Sequence, residues 1–204
     1  MSAIALFIKI PKAALAGLRE SAGSGSPYEY LKLNGHEVSD YRWSGYVLVT
    51  LLPYLEEKFQ IDLMKSEYQD LSTLLTEATD ATHFIFTPTH KEAFLNRLDP
   101  AQFSEDEMRQ YFNEFNATNE QQIGQAMLDG IRCIRESLGQ IDEESVVVFV
   151  IGWPFTARFL TISPATSDSI SFSSFMASTM HSTCPTSTVS PGFTNGGAPG
   201  EGAS

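Results

Sequence analysis

The amino-acid sequence predicts an α+β domain in which a small mixed β-sheet packs against several α-helices. Two apolar runs stand far apart in the chain, AIALFIKI at residues 3–10 and SVVVFVI at residues 145–151. Both are apolar enough to be strands buried on both faces. THFIF at residues 82–86 has the β-branched and aromatic character of a shorter strand. We therefore expect the N-terminal strand and the strand at 145–151 to lie side by side, with the intervening helices packed against the sheet.

Two helices are expected after the first strand. Pro11 suits the first turn of a helix, where its missing N–H costs nothing, and Leu15 and Leu18 form the buried side of that helix. The segment PYEYLKLNG indicates a second, shorter helix that is closed by Asn34 and Gly35.

The segment SDYRWSGYVLVTLLPYLEEKF is apolar almost all round. This pattern indicates a buried helix that begins near Ser39 or Asp40. Pro53 removes a helical hydrogen bond, so we expect a kink or a restart there. Ser66 with Gln69 forms a capping box for the helix that follows.

Three further helices are indicated by the residues at their starts. Each start has a Ser or Thr that can cap the helix and a partner suited to the first turn: Thr87 with Pro88, Ser104 with Glu107, and Thr118 with Gln121. The last of these helices has the clearest buried stripe, formed by Ile123, Met127, Ile131, Ile134 and Leu138. Gly139 suits the left-handed position that ends a helix.

The composition changes abruptly after Gly152. Residues 153–204 are rich in Ser, Thr, Pro and Gly and hold only three charged side chains, Arg158, Asp168 and Glu201. Such a segment lacks the apolar density that offsets the entropy of ordering. We expect one domain over residues 1–152 and a disordered, low-complexity tail over 153–204. Our preferred hypothesis for this tail is a frameshift or read-through product; a natural flexible tail and a glycosylated stalk are the alternatives.

The formal net charge of −12 belongs almost entirely to residues 1–152. An acidic body is unsuited to binding the phosphate backbone of a nucleic acid or an anionic membrane surface. No apolar run approaches the roughly 20 residues needed to cross a bilayer, and the N-terminus lacks the basic region of a signal peptide. We expect a cytoplasmic protein. No cofactor is indicated.

The titratable residues offer few candidates for chemistry. His83 and His90 could form a metal or acid–base pair; the alternative is one partly buried and one exposed histidine. His36 is expected in a loop, exposed to solvent. Cys133 and Cys184 show no metal-ligand spacing, and Cys133, on a helix flank beside Ile134, is expected to pack as a small hydrophobe. No catalytic or metal-binding residue is therefore assigned.

The segment DYRWSGY is the most informative polar patch. Tyr41, Arg42, Trp43 and Tyr46 together offer ring stacking and charge-assisted hydrogen bonds, so with His83 they form a candidate ligand or partner patch. The alternative is that Trp43 and Tyr46 are core residues at the start of a buried helix.

Four stretches of the body resemble one known family. They are MSAIALFIKIPKAALAGL, SDYRWSGYVLVTLL, THFIFTPTHKEAFLNRLDPAQFSEDEMRQYF and QAMLDGIRCIRESLGQIDEESVVVFVIG. The body is similar to the YfbM-like family of small bacterial proteins, a domain of unknown function, over residues 1–152. Asp40 lies three residues before Trp43, one fewer than the spacing in that family. The resemblance implies an α+β fold and brings no reaction or ligand.

Two functional classes follow. The first is a non-catalytic binding or regulatory module whose acidic surface meets a basic protein partner; an inhibitor of a basic toxin would be one form. The second is a small enzyme or small-molecule binder with a cleft near Tyr41, Arg42, Trp43 and His83. The absence of a catalytic motif favours the first class.

Overall fold

The computed structural model describes residues 3–152 of the 204-residue chain. The predictions made for residues 153–204, and for Cys184 among them, lie outside the described residues. Within 3–152 the chain is α+β, as predicted. Its elements are β1 (Ile4–Pro11), α1 (Leu15–Gly23), α2 (Pro27–Asn34), β2 (His36–Ser39), α3 (Tyr46–Phe59), α4 (Gln69–Ala78), β3 (Thr82–Phe86), α5 (Pro88–Phe94), α6 (Glu105–Asn116), α7 (Ile123–Gly139) and β4 (Ser145–Gly152).

The four strands form one sheet in the order β2-β1-β4-β3. The two apolar strands lie at its centre, as expected, and pair along their whole length from Ile4 opposite Gly152 to Pro11 opposite Ser145. Every neighbouring pair is antiparallel, which corrects the predicted mixed sheet. Strand direction depends on how the intervening helices turn the chain back, and no local pattern encodes that path.

The two faces of the sheet bury different side chains. One face packs aliphatic residues of β1, β3 and β4 against α1, α2 and α4; its members include Ile8, Ile85, Val148, Leu18 and Leu75. The opposite face is aromatic. Phe149 is fully buried there between Phe7, with ring centroids 4.4 Å apart, and Phe84 and Phe86. Because neighbouring residues of a strand point to opposite faces, this alternation separates the two halves of the core.

The strand β2 was missed because its sequence, HEVS, has no apolar run. It is a strand because it pairs with β1, with Ser39 opposite Phe7. This pairing also corrects the predicted start of the next helix. Ser39 ends β2, residues 40–45 form a loop, and α3 begins at Tyr46.

Pro11 differs from expectation, and at Pro53 one of the two expected outcomes, a restart of the helix, is excluded. Pro11 is the last residue of β1, and a 3₁₀ turn at Lys12–Ala14 precedes α1, although Leu15 and Leu18 are buried as predicted. The helix α3 continues through Pro53 to Phe59 without a restart. Burial of α3 on several sides stabilises the helix across the missing hydrogen bond.

The capping predictions had mixed outcomes. Ser104 caps α6, and its hydroxyl accepts from the Glu107 N–H at 3.4 Å, as predicted. The capping box at Ser66 is wrong: α4 begins only at Gln69, and Ser66 Oγ accepts from the Tyr68 N–H. The start of α7 at Ile123 likewise has no side-chain cap.

The end of α7 also differs from the prediction. Gly139 stays within the helix and has no left-handed conformation. The predicted buried stripe of α7, however, is confirmed at all five positions. None of the helices within residues 3–152 is long and apolar enough to cross a membrane.

Candidate functional site

The loop at residues 40–45 lies against α7. Tyr41 is buried, and its hydroxyl donates to the carbonyl oxygen of Ala126 at 3.0 Å. Burial raises the pKa of the Tyr41 phenol far above its ordinary value, so the hydroxyl stays protonated. Trp43 is half-buried, and its Nε1–H donates to Asp129 Oδ2 at 3.0 Å. Both rings therefore fasten the loop to α7.

Asp129 is the centre of this contact. Its carboxylate accepts from Trp43, from Gln125 Nε2 at 2.9 Å and from Arg132 Nη1. Such a carboxylate is occupied by donors, which suits the anchoring of a loop better than proton transfer. Arg42 points away into solvent, with its side chain 85% exposed, and pairs with Asp40 at 3.0 Å.

The structure does not bring His83 to the rest of the predicted patch. Tyr46 is exposed at the start of α3, close in sequence to Trp43. His83 lies on β3 between Ala81 and Ile85, two members of the aliphatic face. The start of α3 packs on the other face, where Gly45 approaches Ile151. The sheet thus stands between His83 and the loop.

Both histidines of the predicted pair are buried, which corrects the expectation that one of them is exposed. The Nδ1 of His83 lies 3.1 Å from the Ala81 carbonyl oxygen, and burial lowers the pKa of His83 to about 4. His90 packs between Phe86 and Phe94 of the aromatic side. The two imidazoles therefore occupy opposite faces of the sheet.

Burial favours the neutral form of His90, and the hydrogen bonds of its ring fix the tautomer. Its Nδ1 accepts from the Thr87 N–H at 3.1 Å, so the proton is on Nε2, which donates to the Lys65 carbonyl oxygen at 2.8 Å. Burial lowers the pKa of His90. The ring links the start of α5 to the loop before α4. His90 therefore has a structural role, because its ring holds these two segments together.

The remaining candidates are also structural. Cys133 is buried, as predicted, and burial raises the pKa of its thiol, which makes it a poor nucleophile. His36 is exposed, on β2 rather than in a loop. No group of three His, Cys, Asp or Glu side chains between residues 3 and 152 could hold a metal ion.

Two open clefts, of about 330 and 340 Å³, lie on either side of Leu95 and Asn96. The first is lined by Arg132, Arg135 and Glu136 of α7. The second has Lys91 and Glu92 on one side and Asp142 and Glu143 on the other. The rim of each cleft therefore carries both positively and negatively charged side chains.

A row of five aromatic rings joins α3 and α6. Successive ring centroids lie 4.8, 5.6, 4.9 and 6.0 Å apart, and we call this set the aromatic row: Phe103, Phe59, Tyr54, Tyr111 and Phe115. Phe103 and Tyr54 are buried, whereas the other three rings are half-exposed. The row therefore has a fixed base and an outer side that faces solvent.

Acidic side chains surround the exposed end of the aromatic row. Glu57 Oε2 accepts from the Tyr111 hydroxyl at 3.1 Å, and Glu57 Oε1 accepts from Lys58 Nζ at 2.7 Å. The Lys58 ammonium also lies 5.8 Å from the centroid of the Tyr111 ring. Glu107 and Glu114, four residues before and three after Tyr111, are exposed on the same face of α6.

The aromatic row was not predicted from the sequence. One signal was available, because Tyr111 and Phe115 are four residues apart in a helix and acidic residues flank them. The contact with Tyr54 joins residues 57 positions apart, however, and only the packing of α3 on α6 reveals it.

Comparisons with known proteins give no family assignment. No family model, no curated protein and no solved structure matches this chain.

Proposed function

We propose that residues 3–152 form a non-catalytic binding module that contacts a basic protein partner through its acidic surface. The excess of carboxylates carries this proposal. Of the 25 acidic and 13 basic side chains of the chain, all but Asp168, Glu201 and Arg158 lie in this part, which leaves 23 carboxylates against 12 cations. Ion pairs within residues 3–152 engage eight of these carboxylates.

Such a surface repels other acidic molecules and attracts basic ones. Charge complementarity accelerates encounter and selects among partners, and dissolved salt screens it. The buried titratable groups add support for a non-catalytic role. His83 and His90 are kept neutral by burial, and the Cys133 thiol is kept protonated. These three groups are buried in the packed interior, and they are unsuited to proton transfer or nucleophilic attack at neutral pH.

A salt series on a purified pair tests the proposal. The full chain is immobilised, bound proteins are identified, and the strongest binder is purified and titrated by calorimetry at 50 and 300 mM NaCl. We expect a basic partner whose affinity falls at least tenfold at the higher salt concentration. An acidic or neutral partner, or an affinity independent of salt, would contradict the proposal.

A small-molecule binder is the second candidate, and one observation favours it. Arg132 lines the first cleft and is held by Asp129, which also holds Trp43. The predicted patch is thus connected to a cleft, although not through His83. A ligand-dependent rise in melting temperature that Arg132→Ala removes, and that Arg42→Ala leaves intact, would favour this candidate.

The proposal also includes a relationship to the YfbM-like family and a cytoplasmic location. The α+β class of residues 3–152 agrees with the fold that this resemblance implies. An alignment that matches the four quoted stretches, in the same order, to members of that family tests the relationship. Cell fractionation tests the location.

A further inference from the structure

We propose that the basic partner docks on the exposed side of the aromatic row, with a lysine or arginine of the partner over the Tyr111 ring. This inference rests on the proposed function and names its surface. The rim of three carboxylates, Glu57, Glu107 and Glu114, decides the chemistry of the occupant. An apolar partner would have to remove these charges from water without compensation, whereas a cationic segment pairs with them.

The surface is held in place before any partner arrives. Tyr111 rests on the buried ring of Tyr54, with centroids 4.9 Å apart, and its hydroxyl is tied to Glu57. Phe115 stacks beside Tyr111 at an interplanar angle of 19°. A partner therefore meets rings whose orientation is already set, which reduces the entropy lost on binding.

The charge states of the surface suit a cation. Hydrogen bonds from Lys58 and Tyr111 lower the pKa of Glu57, so this carboxylate stays ionised under mildly acidic conditions. Burial and the charge of Glu57 raise the pKa of Tyr111, so the phenol stays neutral. A neutral aromatic face beside a carboxylate attracts an ammonium or a guanidinium group.

Lys58 already shows how such a group sits. Its ammonium is 5.8 Å from the Tyr111 centroid and 2.7 Å from Glu57 Oε1, while the side chain remains 51% exposed. Because a lysine side chain is long and flexible, Lys58 can swing away and leave its place to a cation of the partner. Lys58 therefore competes with the partner's cation for the place over the Tyr111 ring.

The experiment uses the full chain and three synthetic peptides of nine residues that alternate glycine with arginine, lysine or glutamate. Affinity is measured by calorimetry, and backbone amide shifts are mapped by NMR. We expect the two cationic peptides to bind in a salt-dependent manner and the glutamate peptide not to bind. The largest shifts should fall in residues 54–59 and 107–115.

Matched variants separate this surface from general charge. Tyr111→Leu and Glu57→Gln should each weaken cationic peptide binding about two- to fivefold. Glu143→Gln, which removes one exposed carboxylate elsewhere, should change it less than twofold. Lys58→Ala should strengthen binding more than Lys32→Ala, which removes the same charge from an exposed position on α2. Tyr111→Phe keeps the ring and controls for folding, so it should bind nearly as the parent does.

The outcomes distinguish the two proposals. If cationic peptides bind but Tyr111→Leu behaves as Glu143→Gln does, or the shifts fall elsewhere, the docking surface is wrong and the binding module stands. Equal effects of Lys58→Ala and Lys32→Ala would also overturn the surface. If neither a cationic peptide nor a basic protein binds in a salt-dependent manner, both proposals fail.

Discussion

Replacing Gly124 by alanine tests how closely α6 and α7 pack. A Cβ added at Gly124 would lie 2.4 Å from the backbone oxygen of Glu105 and 2.7 Å from its Cγ. Both distances are shorter than a van der Waals contact, and the nearest atom belongs to the backbone, which no change of rotamer can move. The start of α6 must therefore shift by roughly 1 Å, which loses packing around it.

The expected magnitude combines two opposing effects. Overpacking of this kind costs typically about 1–3 kcal/mol. Alanine gains up to about 1 kcal/mol over glycine inside a helix, and less in a first turn such as this one. We expect Gly124→Ala to lower the free energy of unfolding by about 1–2 kcal/mol, or the melting temperature by roughly 2–8 °C for a domain of this size.

Gly139 provides the matched control in the last turn of the same helix. A Cβ there would meet nothing within 4 Å, and the residue has no left-handed conformation. Gly139→Ala should leave the stability unchanged or raise it by up to about 1 kcal/mol. Both variants are compared by urea denaturation followed by circular dichroism. If Gly124→Ala is as stable as Gly139→Ala, Glu105 is not held against α7 and the packing argument is wrong.

Three further predictions concern pH, capping and the C-terminal segment. The pKa of His83 in the folded chain is about 4, below its ordinary value of 6.5. The unfolded chain therefore binds the proton more readily, and the free energy of unfolding falls by about 3 kcal/mol as the pH drops from 6.5 to 4. When the urea midpoint is measured as a function of pH, His83→Gln should reduce its fall between pH 6.5 and 4. An unchanged fall would exclude His83 as its cause. Ser104→Ala should cost about 1 kcal/mol in the same assay, because the Glu107 N–H loses its acceptor, and a cost near zero would show that water replaces the cap. Deletion of residues 156–204 should preserve the cooperative melt, because β2, β1, β4 and β3 pair with one another within residues 4–152, and loss of that melt would show that the domain needs the deleted segment.

The successful predictions share a local physical basis. The strand at 82–86 and the two long apolar strands were recognisable because a buried strand needs an apolar run. The buried stripe of α7 was recognisable because helical periodicity places every third or fourth residue on one face. The Ser104 cap depends on a contact only three residues away.

The failures share a long-range basis. β2 exists because β1 lies beside it, and the same pairing draws Ser39 out of the predicted helix. Pro11 belongs to β1 because Ser145 pairs with it from the other end of the domain. The capping patterns at Ser66 and Thr118 were present in the sequence, but the helices near them begin elsewhere.

The predictions for the candidate site also divide into those with a local basis and those that depend on long-range contacts. Trp43 was singled out from its neighbours alone, but its hydrogen bond to Asp129 links residues 86 positions apart. His83 was grouped with this patch because residue type alone cannot show on which face of a sheet a side chain lies. The aromatic row escaped notice because its central contact crosses between two helices.

The sequence by itself determined the α+β class, three of the four strands within residues 3–152 and the acidic charge, since apolar spacing and composition are properties of the local chain. The tertiary structure alone decided the direction of the strands, the existence of β2 and the separation of His83 from Trp43. It also brought Tyr54, Tyr111 and Glu57 together. These features depend on contacts between distant residues, and such contacts exist only once the helices have packed on the sheet and on one another.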